Sequence, residues 1–326
     1  MNRKRLLVTG GSGFIGANFI AELDRREDYE VLNVDFAQPK FDAKSTTFRQ
    51  CDLLDKVRLE SCFGEFKPTH VVNFAGRTDM FGTTVADYAA NHVGTQHVIS
   101  AIQRTPSVES VVFTSSQFVF GPGRLPKHDE DYAPHTIYGE SKVLSEKAVR
   151  QSDLACSWTI VRPTNIWGRW HPRYPSEFWR VLKQGRYLHP GGPPVTRCYG
   201  YVGSVIDQVL KILAHEDGSL NRKTFYVGDA PIDLYEWTNE FSLQLTGKPV
   251  RVVPRHLLKG LALVGDVVVK LGGKFPIFSS RFRSMTESYV TPMEPTFAAL
   301  GSPKYSLELG VQETVAWLRT ESEFWS

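Results

Sequence analysis

The chain of 326 residues is long enough to form one large domain or two modest ones. Its hydrophobic (41%), charged (22%) and aromatic (12%) fractions are those of a soluble globular protein, and a net charge of +3 is too small to indicate nucleic acid as a partner. Four scattered cysteines without a C-x-x-C pair and nine histidines without an H-E-x-x-H motif indicate neither a disulfide framework nor a metal site.

The beginning of the chain predicts a dinucleotide site. Residues 6–9 form a short apolar run typical of an inner parallel strand, and the glycines after it permit a tight turn into a helix whose N-terminal amides point at an anion. Asp35 closes the next strand, about twenty residues further on, where a carboxylate accepts hydrogen bonds from the adenosine ribose. The turn glycines are Gly10, Gly13 and Gly16.

The apolar run near the N-terminus is too short for a signal peptide and ends in glycines, so we expect a cytoplasmic protein. Further β-branched or aromatic runs alternate with segments long enough for crossover helices, at 56–66 and 85–104. Alternation of this kind predicts an α/β fold with a doubly wound parallel sheet, a Rossmann arrangement. The predicted strands after the first are 30–34, 47–50, 70–74, 110–114 and 158–162.

Ligands of such sheets lie beyond the carboxyl ends of the strands, which directs attention to the residues at those ends. Asp52 follows one strand, although a plain turn residue is an equally good interpretation of it. Phe74, Ala75 and Gly76 follow the next strand, and the strand 158–162 runs into Pro163–Thr164–Asn165. We assign residues 1–165 to the dinucleotide-binding domain and residues 166–326 to a smaller substrate-binding part that is interleaved with it.

Tyr138 and Lys142 are spaced by four residues at the start of a helical segment and therefore share a face. A neighbouring ammonium group and a cationic nicotinamide both favour the phenolate, so Tyr138 is a candidate base for a carbinol proton. Ser115 and Ser116 directly follow the strand 110–114, where a hydroxyl can reach the same substrate oxygen. Because a tyrosine four residues before a lysine also occurs by chance, the serines are needed to support this interpretation.

Near the C-terminus, apolar residues recur at spacings of four and three between Leu257 and Leu271. The interspersed charges and the short length exclude a transmembrane span. We expect an amphipathic helix that packs on the core, and a surface for a lipophilic substrate is the alternative.

Taken together, these motifs resemble the extended short-chain dehydrogenases/reductases of the NAD-dependent epimerase/dehydratase family, over nearly the whole chain. The matching segments, besides G10-x-x-G13-x-x-G16, are 73–76, 91–95, 114–121, 138–142, 162–165 and 296–301. The resemblance implies NAD as cofactor, a homodimer that pairs the helix of Tyr138 with the helix around 85–104, and a catalytic set of Ser116, Tyr138, Lys142 and Asn91.

The resemblance also implies which residues bind the ligands. The substrate-binding residues are Ser116, Asn165 and Arg197, with Arg197 matching the arginine that holds a sugar-nucleotide diphosphate. A second substrate arginine is Arg281 or Arg283, and the spacing does not choose between them. The cofactor-binding residues are Gly10, Gly13, Phe14, Ile15, Gly16, Asp35, Asp52, Leu53, Phe74, Ala75, Gly76, Ser115, Tyr138, Lys142, Pro163 and Asn165.

Departures from the family pattern limit the reactions that we expect this chain to catalyse. Related dehydratases carry an Asp-Glu pair after the catalytic hydroxyl, but Gln117 and Phe118 stand here and exchange no proton. Cys198 and Gly203 occupy positions that are usually aspartates.

We therefore expect an NAD-dependent sugar-nucleotide epimerase or closely related oxidoreductase that transiently oxidises a substrate hydroxyl to a ketone. The alternative is a 3β-hydroxysteroid-type dehydrogenase, which the apolar segment 257–271 resembles. A third hypothesis is a non-catalytic dinucleotide sensor. The catalytic tyrosine counts against it, because a sensor does not need a base.

Overall fold

The computed structural model describes residues 3–26, 28–273, 275–321 and 324. A parallel sheet of seven strands occupies the centre, in the order β11-β6-β5-β4-β1-β2-β3. Three short two-stranded pairs, β10-β7, β12-β9 and β13-β8, accompany it. The strands are β1 (Lys4–Thr9), β2 (Tyr29–Asp35), β3 (Thr46–Gln50), β4 (His70–Asn73), β5 (Ser110–Thr114), β6 (Ser157–Pro163), β7 (Asn165–Trp167), β8 (Leu188–Pro190), β9 (Thr196–Arg197), β10 (Tyr199–Tyr201), β11 (Lys223–Val227), β12 (Ile232–Asp233) and β13 (Arg251–Val253).

Helices cover both faces of the sheet, so the predicted α/β, doubly wound class is confirmed. They are α1 (Phe14–Leu23), α2 (Lys56–Phe66), α3 (Ala89–Gln103), α4 (Ile137–Arg150), α5 (Arg180–Lys183), α6 (Val202–Ala214), α7 (Leu234–Thr246), α8 (Arg255–Lys270), α9 (Ser279–Thr286), α10 (Glu294–Leu300) and α11 (Leu307–Leu318). Short 3₁₀ turns are formed by Val85–Tyr88 and Gln117–Val119, and a π-helical turn by Pro175–Trp179.

The pleat of β1 divides the apolar core into two layers. Leu6 and Val8 point into one layer, which α1, α6 and α11 complete, and Leu7 points into the other, which α2 and α3 complete. Every predicted strand is confirmed to within one residue at either end, apart from β1, which begins two residues earlier. The predicted helix at 56–66 is confirmed, whereas the segment 85–104 divides into a 3₁₀ turn and α3.

The second half of the chain contributes to the central sheet. Strand β11 pairs with β6 in parallel, and α6 packs against α1. Such an interleaved arrangement has no simple boundary at residue 165, and the division into 1–165 and 166–326 stays a prediction.

Helix α8 differs from expectation. Only Leu258, Ala262 and Gly265 of this helix are buried, so the expectation that its apolar residues pack on the core is wrong for most of them. Gly265 allows a close approach, because a Cβ there would lie 1.9 Å from the carbonyl oxygen of Ile277. Among the residues that the structure describes, none of the helices combines the length and the hydropathy of a membrane span.

Candidate active site

The glycine turn brings the ends of β1 and β4 and the start of α1 into contact. Gly10 has a φ of +72°, and a Cβ on it would lie 2.5 Å from the backbone nitrogen of Ala75. A Cβ on Gly16 would lie 2.1 Å from the carbonyl oxygen of Gly10. Gly13 precedes α1 without a side chain that caps the amides of Phe14 and Ile15, which leaves this helix end open to an anion.

Asp35 ends β2 beside this turn. Its two carboxylate oxygens accept the amide hydrogens of Ser12 (2.9 Å) and Ala37 (3.0 Å), so the side chain is fixed against the glycine turn. Each oxygen retains a lone pair, as a group that binds ribose hydroxyls requires. The predicted spacing of glycines and acid thus corresponds to one site in space.

Asn91 positions the loop after β4. Its Oδ1 accepts the amide of Arg77 at 2.7 Å, and its Nδ2 donates to the carbonyl of Arg77 and to the hydroxyl of Ser141. A Cβ on Gly76 would lie 2.8 Å from Asn91 Oδ1 and 3.2 Å from Lys142 Nζ, so a side chain here would displace the Asn91 amide. Asn91 therefore ties the loop to α4, and its predicted place in the catalytic set stays a prediction.

Asp52 is exposed, and its Oδ1 accepts the amide of Leu54 at 2.9 Å, as a turn residue does. Leu53 is buried against Gly94, and its carbonyl oxygen lies 2.7 Å from Nδ1 of His97. Contacts of Asp52 and Leu53 with a cofactor stay predictions.

Three of the four predicted catalytic side chains, Ser116, Tyr138 and Lys142, come together where β5 ends and α4 begins. Ser116 caps the following 3₁₀ turn and accepts the amide of Phe118 at 3.2 Å. Tyr138 lies in the first turn of α4, and its hydroxyl is near enough to Ser116 for that side chain to influence its pKa. Lys142 lies one turn later and donates to the carbonyl of Thr114 at 3.0 Å.

Burial dominates the electrostatics of this trio. It raises the pKa of Tyr138 to about 12, while the neighbouring Ser116 side chain acts in the opposite direction. Burial lowers the pKa of Lys142 to about 8, against the attraction of Glu146. The expected lowering of the Tyr138 pKa is therefore wrong for the protein alone, because desolvation of the phenolate is the largest effect and Lys142 is not among the groups that shift this pKa.

A buried ionic cluster beneath the trio was not predicted. Glu146 accepts hydrogen bonds from Arg162 Nε (2.8 Å) and Nη2 (2.7 Å), from the hydroxyl of Tyr132 (3.0 Å) and from Ser115 Oγ (2.5 Å). Ser115, predicted to bind cofactor, thus uses its hydroxyl within the protein. The only sequence signal for the cluster was the charge at positions 146 and 162 on otherwise core-facing elements.

Tyr289 joins the second half of the chain to the catalytic loop, and we did not predict it. Its hydroxyl donates to the carbonyls of Gln117 (3.0 Å) and Phe120 (2.5 Å). The backbone of Tyr289 also forms a parallel β-bridge with Arg197 of β9. This bridge brings the predicted substrate arginine to the side of the molecule that carries the catalytic loop. Arg197 Nη2 donates to the carbonyls of Ser284 and Glu287.

Pro163 ends β6 as a buried residue, and Asn165 begins β7 with its backbone amide bonded to the carbonyl of Cys198 at 3.3 Å. Phe74 packs edge-on against Phe19 of α1 at 5.3 Å. The side chain of Gln117 is fully buried, and neither its Oε1 nor its Nε2 has a partner within the described residues. Buried amides are rarely left unpaired, so this one is a candidate ligand contact.

Comparison with known proteins gives one family match and several relatives. Residues 6–228 match the profile of the NAD dependent epimerase/dehydratase family. N-acetyl-α-D-glucosaminyl-diphospho-ditrans,octacis-undecaprenol 4-epimerase of Escherichia coli O157:H7 is 27% identical, and the match covers 97% of this chain and 96% of that protein. A 3β-hydroxysteroid dehydrogenase/Δ5→4-isomerase of Mycobacterium tuberculosis is 28% identical over 72% of this chain and 67% of its own.

Among solved structures, UDP-glucose 4-epimerase of Thermotoga maritima with UDP-glucose superimposes with a TM-score of 0.75. The superposition covers 97% of this chain and 99% of that chain, at 20% sequence identity. At this identity the likeness supports the fold.

Proposed function

Because this chain belongs to the NAD-dependent epimerase/dehydratase family, we propose that it epimerises a sugar carried on a nucleoside diphosphate by transient oxidation of a ring hydroxyl to a ketone. The observation that carries the proposal is the assembly of Ser116, Tyr138 and Lys142 at one site. Gln117 and Phe118, which follow Ser116, supply no acid for eliminating water, so the site does not favour dehydration.

The residues at the glycine turn fit NAD. Backbone contacts leave no room for a Cβ on Gly10 or Gly16, the start of α1 is open to an anion, and the position of Asp35 beside the turn supports a contact with the ribose. When bound, NAD would supply the acceptor for the hydride of the carbinol carbon and return it to the ketone. Its positive ring would also favour the phenolate that burial disfavours in Tyr138.

The protein's own groups then handle the proton. Tyr138, as phenolate, takes the proton of the sugar hydroxyl while Ser116 donates a hydrogen bond to the same oxygen. Lys142, one turn along α4, favours the phenolate through its charge. After the ketone has turned within the pocket and been reduced on its other face, Tyr138 returns the proton, so the reaction is balanced without net oxidation.

Arg197 is proposed to hold the diphosphate. Two of its five donors bond to backbone carbonyls, and its Nε is buried without a partner among the described residues. A guanidinium already fixed by backbone loses little entropy when it binds a phosphate. Asn165 at the end of the site and Arg281 or Arg283 on α9 are proposed as further substrate contacts, without a choice between the two arginines.

A second candidate is a dehydrogenase for a lipophilic alcohol of the 3β-hydroxysteroid type. The observation that favours it is a cavity of about 530 Å³ between the second-half helices, with mostly apolar walls. Among its lining residues are Tyr174, Phe178, Trp237, Leu261 and Phe278.

The two candidates differ in their products. We expect that incubation with NAD and UDP-, dTDP- or GDP-sugars gives an epimer without accumulation of NADH, and that Arg197→Ala raises the KM for the sugar nucleotide. Arg104→Ala, which removes an exposed arginine of α3's C-terminal end, is the matched control. Stoichiometric NADH from a sterol, with Arg197→Ala without effect, would assign the second candidate. Diphosphate-linked N-acetylglucosamine on a polyprenol, the substrate named for the Escherichia coli relative, belongs in the same assay.

We also propose a homodimer that pairs α3 and α4 with their counterparts. These helices pack against each other in the protomer, and Leu144 of α4 is exposed. Sedimentation velocity should show a dimer that Leu144→Arg dissociates, whereas a wild-type monomer at micromolar concentration would refute the proposal.

A further inference from the structure

Helix α8 presents three distinct faces. With 100° per residue, Leu258, Ala262 and Gly265 form a narrow stripe that contacts the protein. Asp266, on the polar face, accepts the backbone amide and the hydroxyl of Ser279, which joins α8 to α9. The third face is apolar and exposed, and we call it the α8 apolar face; its residues are Leu257, Leu261, Val264, Val267 and Leu271, with Leu263 at its edge.

This face is large and continuous. Its residues are between 41% and 82% exposed, whereas apolar residues that are scattered singly over a surface need no explanation. Leu261 also lines the cavity of about 530 Å³, so the apolar surface extends from α8 to the cavity. A contiguous exposed apolar patch of this kind marks a surface that contacts another protein or a membrane.

The charge of the segment 248–283 indicates which kind of partner contacts this face. From Lys248 to Arg283 the sequence has one acidic residue, Asp266, which is held by Ser279. The described part of the same segment has seven basic residues, Lys248, Arg251, Arg255, Lys259, Lys270, Arg281 and Arg283, of which Arg283 is paired with Glu287. Lys259 and Lys270 are exposed and lie beside Leu263 at the edge of the α8 apolar face.

We propose that α8 docks on an anionic lipid bilayer, lying in the plane of the interface with its apolar face toward the acyl chains and Lys259 and Lys270 at the headgroups. A helix that is apolar on one face, basic beside it and too short to span fits this position. A second copy of the chain fits less well, because pairing two such faces would bring like charges together. The proposal is independent of the sugar proposed as substrate.

Vesicle flotation of the full chain tests the docking. We expect binding to phosphatidylcholine vesicles that contain phosphatidylglycerol, and much weaker binding to phosphatidylcholine alone. Val264→Ser/Val267→Ser and Lys259→Gln/Lys270→Gln should each weaken binding by about tenfold or more. Salt at about 1 M, where the Debye length is about 3 Å, should weaken wild-type binding. Val57→Ser/Leu309→Ser removes two exposed apolar residues elsewhere and should bind as wild type.

Circular dichroism of each variant verifies that the exposed substitutions leave the fold intact. A dye on Val264→Cys should shift to shorter wavelength with the anionic vesicles, because the position enters an apolar phase. Absence of flotation with anionic vesicles at low salt would overturn the proposal, as would α8 variants that bind like wild type. A wild-type dimer that Val264→Ser/Val267→Ser converts to monomer would assign the face to a second copy instead.

Discussion

The carboxylate of Glu146 accepts two hydrogen bonds from the guanidinium of Arg162, at 2.8 and 2.7 Å, and both side chains are almost completely buried. The pair links α4, which carries Tyr138 and Lys142, to β6. Because the arginine is the main counter-charge for a carboxylate shielded from water, the position of α4 depends on it.

We predict that Arg162→Met lowers the free energy of unfolding by about 3–5 kcal/mol, since it leaves the buried Glu146 carboxylate with only the longer, 3.7 Å contact to Arg150 as a counter-charge. Urea unfolding measures the loss. Arg26→Met, which breaks the more exposed pair with Glu22, should cost no more than about 1 kcal/mol. Arg162→Met/Glu146→Leu should recover part of the loss, and a single variant no worse than Arg26→Met would contradict the assignment.

Tyr138→Phe should lower turnover by about 10²–10⁴-fold while NAD binding is retained, because the ring keeps its packing against Phe118 and Tyr88 but the proton acceptor is lost. Steady-state kinetics and titration calorimetry with NAD provide the two readouts. Tyr305→Phe, on a ring that contacts Tyr201, serves as control. Near-normal turnover of Tyr138→Phe would refute the mechanism.

Lys142→Met should lower the turnover of the enzyme and raise its free energy of unfolding. The pKa of Lys142 is about 8 in the folded protein against an ordinary 10.5, so the unfolded state binds more protons and wild-type stability increases as pH rises from about 8 to 10.5. At pH 7 Lys142 is protonated in both the folded and the unfolded wild-type protein. Removing the buried ammonium should therefore raise the free energy of unfolding by about 2 kcal/mol, after the lost hydrogen bond to Thr114 is subtracted. Thermal melts at pH 7 and pH 10 measure this.

In the kinetics of Lys142→Met, the rising limb of kcat/KM against pH should move to higher pH, because an ammonium one turn from Tyr138 on the same helix face would favour its phenolate. A variant with unchanged profile and unchanged stability would show that the ammonium does not act on Tyr138.

Asp35→Asn should weaken NAD binding and improve NADP binding, and shift the ratio of the two dissociation constants by at least about tenfold. The carboxylate accepts from ribose hydroxyls but repels a 2′-phosphate, while asparagine keeps one acceptor oxygen for either the amide of Ser12 or that of Ala37, which bond to different oxygens of Asp35. Fluorescence titration with both cofactors measures the ratio. Wild-type protein that binds NADP as tightly as NAD would place Asp35 away from the ribose.

Gln117→Leu should raise the melting temperature of the substrate-free protein and raise the KM for the sugar substrate. Its amide is buried with no partner among the described residues, which costs stability unless a ligand pairs with it. Melts with and without substrate separate the two effects. If the melting temperature falls, the amide has a partner within the protein; if the KM is unchanged, it does not contact substrate.

Local patterns determined much of this molecule from the sequence. Strands β1 to β6, the glycine turn, the placement of Asp35 and the i, i+4 relation of Tyr138 and Lys142 all depend on short-range periodicity and spacing, and the structure has each of them. Such features need only neighbours along the chain, because backbone geometry converts a spacing directly into a shared face or a turn.

Only the tertiary structure decided the contacts between distant segments. Arg162 with Glu146 and Tyr289 with Gln117 join residues whose mutual position depends on how the sheet, α4 and the second half pack. The pKa of Tyr138 likewise depends on desolvation by surrounding elements, which reverses the direction expected from Lys142 alone. For α8, the sequence determined an amphipathic helix but not what covers its apolar face, because periodicity defines a face and packing selects its partner.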